Sequence, residues 1–290
     1  MNARARDANT GAWDILRRQL RPGVTSLYPL EPYPFCRDPP EPYPSRLSIS
    51  SPCPAICTIC RGPVRPGFAR CYQCGRHDLL AHGLLADAVV PICYAVKGTA
   101  FAADLWRYKS WRAPSAAAQT TMLALLLAFL HDHGACVWRH AGMPAPGRLA
   151  VVPTGCGRPG PHPLLELSAP YQRLPLTRLV IRPGEQGRDL NVNRFITDRM
   201  AAGANVLLLD DTWVSGASAQ SAAAALKRAG ARHVAVVVLG RHIDPADRLA
   251  GPLAARLAPA PYDPAKCAVH GQTAPLPGVK GTEHFIVIIV

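Results

Sequence analysis

The sequence predicts an α/β protein in which a parallel sheet is flanked by helices and preceded by a small cysteine-rich module, and three observations carry that class. The first is the run Val206-Leu207-Leu208-Leu209-Asp210-Asp211-Thr212-Trp213-Val214-Ser215-Gly216-Ala217-Ser218, an apolar strand that leads through two acids into a small-residue loop. The second is its continuation: an Ala-rich helix over 217–229, with Lys227 and Arg228 in its last turn and Gly230 just past it, and then an apolar run over 233–239. Strand, loop, helix and strand in that order form a βαβ unit, the building block of parallel sheets. The third is Cys57-Thr58-Ile59-Cys60 and Cys71-Tyr72-Gln73-Cys74, two Cys-x-x-Cys pairs separated by ten residues.

With 290 residues, nearly half of them hydrophobic, the chain can bury one sizeable core and carry an appendage. Three regions follow: 1–52, a short helix and proline-rich linker without packed structure; 53–82, the cysteine module; and 83–290, the α/β domain. The longest apolar stretch, 122–130, is too short to span a bilayer, and Met1-Asn2-Ala3-Arg4 has no apolar signal core, so a cytoplasmic protein without a membrane partner is expected. The net charge of +13 admits a nucleic-acid partner, but the cations are scattered rather than gathered into a tract for a phosphate backbone.

The elements read as follows. Residues 12–20 form a short amphipathic helix, and 22–54 is so dense in proline, with Glu-Pro-Tyr-Pro at both Glu31 and Glu41, that it reads as an extended linker. In 53–82, the spacing of Cys57, Cys60, Cys71 and Cys74 lets two turns converge as four thiolates on a tetrahedral zinc, with a redox dithiol as the competing reading. Gly62, Gly67 and Gly75 give the backbone freedom such turns need, Arg61, Arg65, Arg70 and Arg76 offset the thiolate charge, and Cys53 is an alternative ligand. Cys36, Cys93, Cys136, Cys156 and Cys267 stand alone and read as ordinary thiols.

Beyond the module, 88–96 reads as a strand, 101–111 as a helix carrying Arg107, Tyr108 and Lys109, and 115–133 as a long helix. Residues 149–152 form a short strand ending in the loop Pro153-Thr154-Gly155-Cys156-Gly157-Arg158, with a helix starting near 162 and a further strand over 176–181. The polar stretch 182–194 has neither period and reads as a closing loop over a site or as a plain surface loop. At the far end, 285–290 is a concentrated strand former that would need burial at a sheet edge.

The chemistry gathers at the end of the 206–211 strand. Adjacent carboxylates need cations or donors to sit there together. Behind them Ser215, Gly216 and Ser218 place hydroxyls and backbone N–H groups at the positive end of a helix, a cradle for the phosphate of a sugar phosphate. The plainer alternative is a buried strand followed by a polar turn.

These thirteen residues resemble the signature of phosphoribosyltransferases that bind phosphoribosyl pyrophosphate (PRPP): a strand, two acids, two hydrophobes and a Thr-Thr-Gly-x-Thr loop. Asp210, Asp211, Ser215, Gly216 and Ser218 match, whereas Val214 replaces a hydroxyl residue and Thr212-Trp213 replaces two aliphatics. The resemblance implies that Asp210 and Asp211 hold the ribose hydroxyls, and that Thr212 and Val214, Ser215, Gly216, Ala217 and Ser218 surround the sugar and its 5′-phosphate. It further implies that Thr154, Gly155 and Arg158 take the pyrophosphate, whose alternative role is a glycine-rich surface turn.

Cys-x-x-Cys pairs ahead of the domain, Trp106-Arg107-Tyr108-Lys109, and the pattern Arg188, Asn191, Phe195 before the acidic strand narrow the likeness, over about residues 53–240, to the ComF-like group. That implies a type I phosphoribosyltransferase-like sheet, structural Zn2+, Mg2+ with PRPP, an unspecified nitrogen acceptor, and it admits a homodimer. The reaction implied is displacement of pyrophosphate at ribose C1, with Asp210 and Asp211 favouring positive charge on the ring. No general base stands out; His162, His233 and His242 qualify only by residue type. A PRPP sensor without turnover and a nucleic-acid-associated protein linked to DNA uptake are the alternatives.

Overall fold

A computed structural model describes residues 28–29, 56–154, 162–168, 173–185, 187–198, 201–257, 262 and 266–270. The expected helix over 12–20, the strand over 285–290 and most of the proline-rich stretch lie outside these residues. One piece of that stretch is described: β1 (Tyr28–Pro29) pairs antiparallel with the edge of the sheet, opposite Tyr94 and Cys93. The expectation that nothing between 22 and 54 packs is thereby corrected. An edge position tolerates Pro29, which has no N–H to give to a ladder.

The strands that follow are β2 (Ala88–Val96), β3 (Arg148–Val151), β4 (Leu179–Ile181), β5 (Phe195–Thr197), β6 (Asn205–Trp213) and β7 (His233–Ile243). The main sheet runs β1–β2–β7–β6–β3, its last four strands parallel. Every residue of β2 is buried, as expected for a Val- and Ile-rich strand covered on both faces. A parallel bridge from Leu149 to Leu176 extends the sheet past β3, and the separate hairpin of β4 and β5 follows it.

Helices cover both faces. On one side α2 (Ala100–Arg107) and α3 (Ala116–His140) share a buried cluster with Leu207, Leu209, Val237 and Leu239. Gly240 of β7 lets α2 approach closely, because a Cβ there would lie 2.7 Å from Leu105 Cδ1 and 2.9 Å from Ala95 Cβ. α3 is long and apolar enough to cross a bilayer, yet more than half of it is buried inside this fold. A short helix, α4 (Pro163–Ser168), contributes Leu164 to the same cluster.

On the other side α5 (Ala217–Arg228) lays a row of alanines on Val206, Leu208, Val234 and Val236. The cysteine module, with α1 (Tyr72–Ala81) at its end, joins this cluster through Cys57, Cys60, Val64 and Cys74, so it is packed onto the sheet. α6 (Gly251–Leu257) buries Leu253 and Leu257 against Tyr94, Val96 and Ile243.

Among the described residues, the elements read from the sequence are present with shifted ends. β2 matches residue for residue, α2 stops at Arg107 instead of 111, and α3 runs seven residues beyond 133 to His140.

Candidate functional site

The two aspartates lie inside β6, and the alternation of a strand sends them to opposite faces. Asp211 points with Leu207 and Leu209 toward α2 and is 5% exposed. Its Oδ2 accepts hydrogen bonds from Tyr108 Oη at 2.7 Å and Lys109 Nζ at 2.8 Å, and His162 Nε2 lies 3.5 Å away. His162 Nδ1 accepts from the backbone N–H of Leu164 at 3.1 Å, which leaves Nε2 to carry the ring proton toward the carboxylate. Burial works against ionisation of Asp211, but the hydrogen bond from His162 and the Lys109 ammonium outweigh it and hold the carboxyl below the ordinary range.

Asp210, half-buried, points to the α5 side, and its Oδ1 accepts from the backbone N–H of Asp211 at 2.9 Å. Burial, reinforced by the charge of Asp211, pushes its carboxyl up to about 8. The neighbours therefore divide the work: one is ionised and already satisfied, the other holds a proton near neutral pH.

The turn behind them places Gly216 at φ +83°, the left-handed position from which α5 departs. α1, α2 and α3 begin under side-chain caps from Cys71, Thr99 and Ser115. At α5 the Gly216 cap has no side chain, and the Ala217 N–H reaches Ser215 Oγ at 3.3 Å. Val214 and Ser218 are exposed and Thr212 and Ser215 half-buried, so the turn presents hydroxyls and N–H groups to solvent.

The polar stretch read as a closing loop or a plain surface loop meets α5 through Asn191 and Arg194. The Asn191 N–H donates to Ser221 Oγ at 2.9 Å, and Arg194 Nη1 donates to Ser218 Oγ at 3.3 Å. Arg194 is 5% exposed, donates through Nη2 to the Asp189 carbonyl, and has no partner for Nε among the described residues. A buried guanidinium beside the first turn of α5 has no signal in the sequence, where Arg194 reads as part of a polar loop.

Thr154, half-buried, follows β3, which pairs in parallel with β6, so it sits at the same end of the sheet as the aspartates. Gly155 and Arg158 lie outside the described residues. Of the three histidines considered, His162 reaches the aspartate pair, whereas His233 lies 3.8 Å from Asp87.

The second functional element is the cysteine cluster. The Sγ atoms of Cys57, Cys60, Cys71 and Cys74 all lie within 4.8 Å of one another, a group able to hold a metal ion. Cys71 doubles as the cap of α1, its Sγ accepting from the Cys74 N–H at 3.5 Å. Hydrogen bonds from Cys60, Cys71 and Cys74 hold the Cys57 thiol below its ordinary value, while those of Cys57 and Cys60 push the Cys71 and Cys74 thiols up. Cys53 lies outside the described residues.

Of the arginines expected to offset this charge, Arg70 pairs with Asp78 and Arg76 with Asp189, both at the surface. The cation acting on Cys60 is Arg241 from β7. It is 8% exposed, packs against Gly62, and donates through Nη1 to the carbonyls of Trp213 and Val214 at 3.0 and 3.1 Å. Zinc analysis of Cys60→Ser against the wild type should show about one ion lost per chain, because three thiolates do not close a structural tetrahedral site.

Cys93 is a plain buried thiol on the Leu239 carbonyl, as expected, but Cys136 and Cys267 are not isolated. No protein-family model and no curated protein matches the chain.

Proposed function

We propose that the chain binds PRPP at the end of β6 and is a ComF-like phosphoribosyltransferase with a type I fold, transferring phosphoribosyl to a nitrogen nucleophile with release of pyrophosphate. The observation that carries this reading is the start of α5 at Gly216, free of a side-chain cap, directly behind Asp210 on the same strand. The 5′-phosphate would take the N–H groups and hydroxyls of 214–218, with the Arg194 guanidinium at 3.3 Å from Ser218 Oγ adding positive charge. Asp210 would accept from the ribose hydroxyls, and Thr154, Gly155 and Arg158 would meet the pyrophosphate.

Asp211 has a different part from the one the resemblance implies. Its Tyr108, Lys109 and His162 contacts make it the post that fixes the strand end and orients Asp210. Mg2+ would neutralise the diphosphate, and the four-cysteine site would hold Zn2+ as a structural ion. At C1 the bond to the pyrophosphate oxygen breaks as the bond to nitrogen forms, and the protein supplies position and charge. The prior engagement of Asp211 also favours a second reading, PRPP binding without turnover, since only one acid remains for the ribose.

Calorimetric titration of PRPP with Mg2+ tests the binding, and pyrophosphate release over a panel of bases and ammonia separates enzyme from sensor. Measured above pH 8, where Asp210 is ionised, Asp210→Asn and Ser215→Ala are expected to weaken binding about tenfold each, a hydrogen bond to a charged group being lost in both. Wild-type affinity should rise with pH through about 8 as Asp210 ionises, and Asp210→Asn should flatten that rise. The stability sign is opposite. Because the folded state holds this proton more tightly than the unfolded chain, wild-type stability declines as pH rises from about 4 toward 8, and Asp210→Asn removes the decline. Equal PRPP affinity in wild type and both variants would end the assignment.

A further inference from the structure

Cys136 lies in α3 with His133 one turn before it, a spacing of three that puts both on one helix face. Cys267 and His270 lie in a turn after α6, with the same spacing of three. The fold brings these two short motifs together although Cys136 and His270 are 134 residues apart, with Cys136 Sγ 3.2 Å from His270 Nε2. The ligand atoms of Cys136, Cys267 and His270 all lie within 4.8 Å of one another. His133, 7% exposed, is hydrogen-bonded to the Cys136 thiol but stands outside that group of three.

The turn itself is shaped for a metal ligand. The backbone N–H of Val269 points at Cys267 Sγ, 3.4 Å away, and the N–H of His270 points there too. The N–H groups converge on one sulfur, and the Cys74 N–H meets Cys71 Sγ in the same way in the four-cysteine cluster. Cys267 is 2% exposed, so its sulfur faces Cys136 and the protein rather than solvent.

We propose that Cys136, Cys267 and His270 form a second metal site that takes a zinc-like divalent ion. With two sulfurs and an imidazole, and His133 beside Cys136 on the same helix face, the site has the donor types that zinc takes. It clamps the turn at 267–270 to α3, on residues that neither the aspartates nor the phosphate turn use. The two metal sites are neighbours through one residue: Arg61, next to Cys60 in sequence, donates through Nη2 to the Val269 carbonyl at 3.1 Å. The inference stands apart from PRPP binding, since it rests on different side chains.

Metal analysis of the full-length protein, purified with reductant and with zinc present, should give about two zinc ions per chain, one for each site. The double variant Cys136→Ser/Cys267→Ser should lose one and keep the other, Cys60→Ser should lose the complementary one, and their combination should hold none. His270→Ala, a half-buried position outside the sheet, checks the site where the serine variants fail to fold, and it should lose the same ion. In the loaded wild type, Cys136 and Cys267 should resist alkylation until a chelator is added. Cobalt substitution should give a spectrum whose thiolate charge-transfer intensity falls by about one third in the double variant, two of six sulfurs being removed. A wild-type content of one ion that His270→Ala leaves unchanged would overturn the proposal, as would a Cys136–Cys267 disulfide found by mass spectrometry of the metal-loaded chain.

Discussion

Lys109→Met is expected to destabilise the fold by about 3 kcal/mol, the low end for leaving one charge of a buried pair without its partner, because the Lys109 side chain is 30% exposed and Asp211 only 6%. The removed ammonium sits 2.8 Å from Asp211 Oδ2, and neither Tyr108 nor His162 can replace its full charge from where they stand. The pH dependence identifies the cause. Asp211 is held below the ordinary carboxylate range in the folded state, so its contribution is present above the unfolded value of about 4 and is lost as pH falls through the folded one. Urea unfolding should therefore show a gap between wild type and Lys109→Met at pH 7 that narrows in acid. Adding Asp211→Asn to Lys109→Met should recover part of the loss, since the uncompensated charge is then gone. An undiminished gap at low pH would assign the loss to packing of the lysine stem instead.

Gly216→Ala is the other large effect, at about 3 kcal/mol. About 1–2 kcal/mol of it is the left-handed backbone at φ +83°, which a Cβ opposes. The remainder is steric, because the new Cβ would run into the Trp213 indole, a ring 1% exposed and unable to move aside. Gly203→Ala is the internal control: its φ of +69° is similarly left-handed, but nothing lies within 4 Å of the added carbon. Thermal unfolding should place Gly216→Ala well below Gly203→Ala. Calorimetry on the folded fraction should show PRPP affinity lost in the first and kept in the second, since Gly216, unlike Gly203, lies in the turn proposed to cradle the phosphate.

The parts of this structure legible in the sequence are those set by local pattern. β2 is readable to the residue because a strand buried on both faces is a continuous apolar run. The four-cysteine cluster is readable because its ligands come from two short turns whose spacing is local. α3 outruns its expected end at 133 because Gly134 lies inside the helix, where it makes room for the Trp138 ring, 3.2 Å from where a Cβ would be. α2 falls short of its expected end because the chain leaves the helix at Tyr108 to deliver Tyr108 and Lys109 to Asp211.

The division of labour between the aspartates is not legible in the same way. Strand alternation says they face opposite sides, but which side holds the donors depends on α2 and on His162, both distant in sequence. The meeting of Cys136 with His270 is the extreme case, since no local spacing encodes a contact across 134 residues. The burial of Arg194 is another, because its partner Ser218, like the Ser221 that holds Asn191, belongs to a helix that comes later in the chain.

Arg241 has its guanidinium wedged between Gly62 and the carbonyls of Trp213 and Val214. One side chain thus leans on the four-cysteine cluster and props up the bend that would cradle the sugar. Stripping the ion proposed for that cluster would slacken the bend while leaving the strands beneath intact, so such a protein would forfeit its ligand well before it melted.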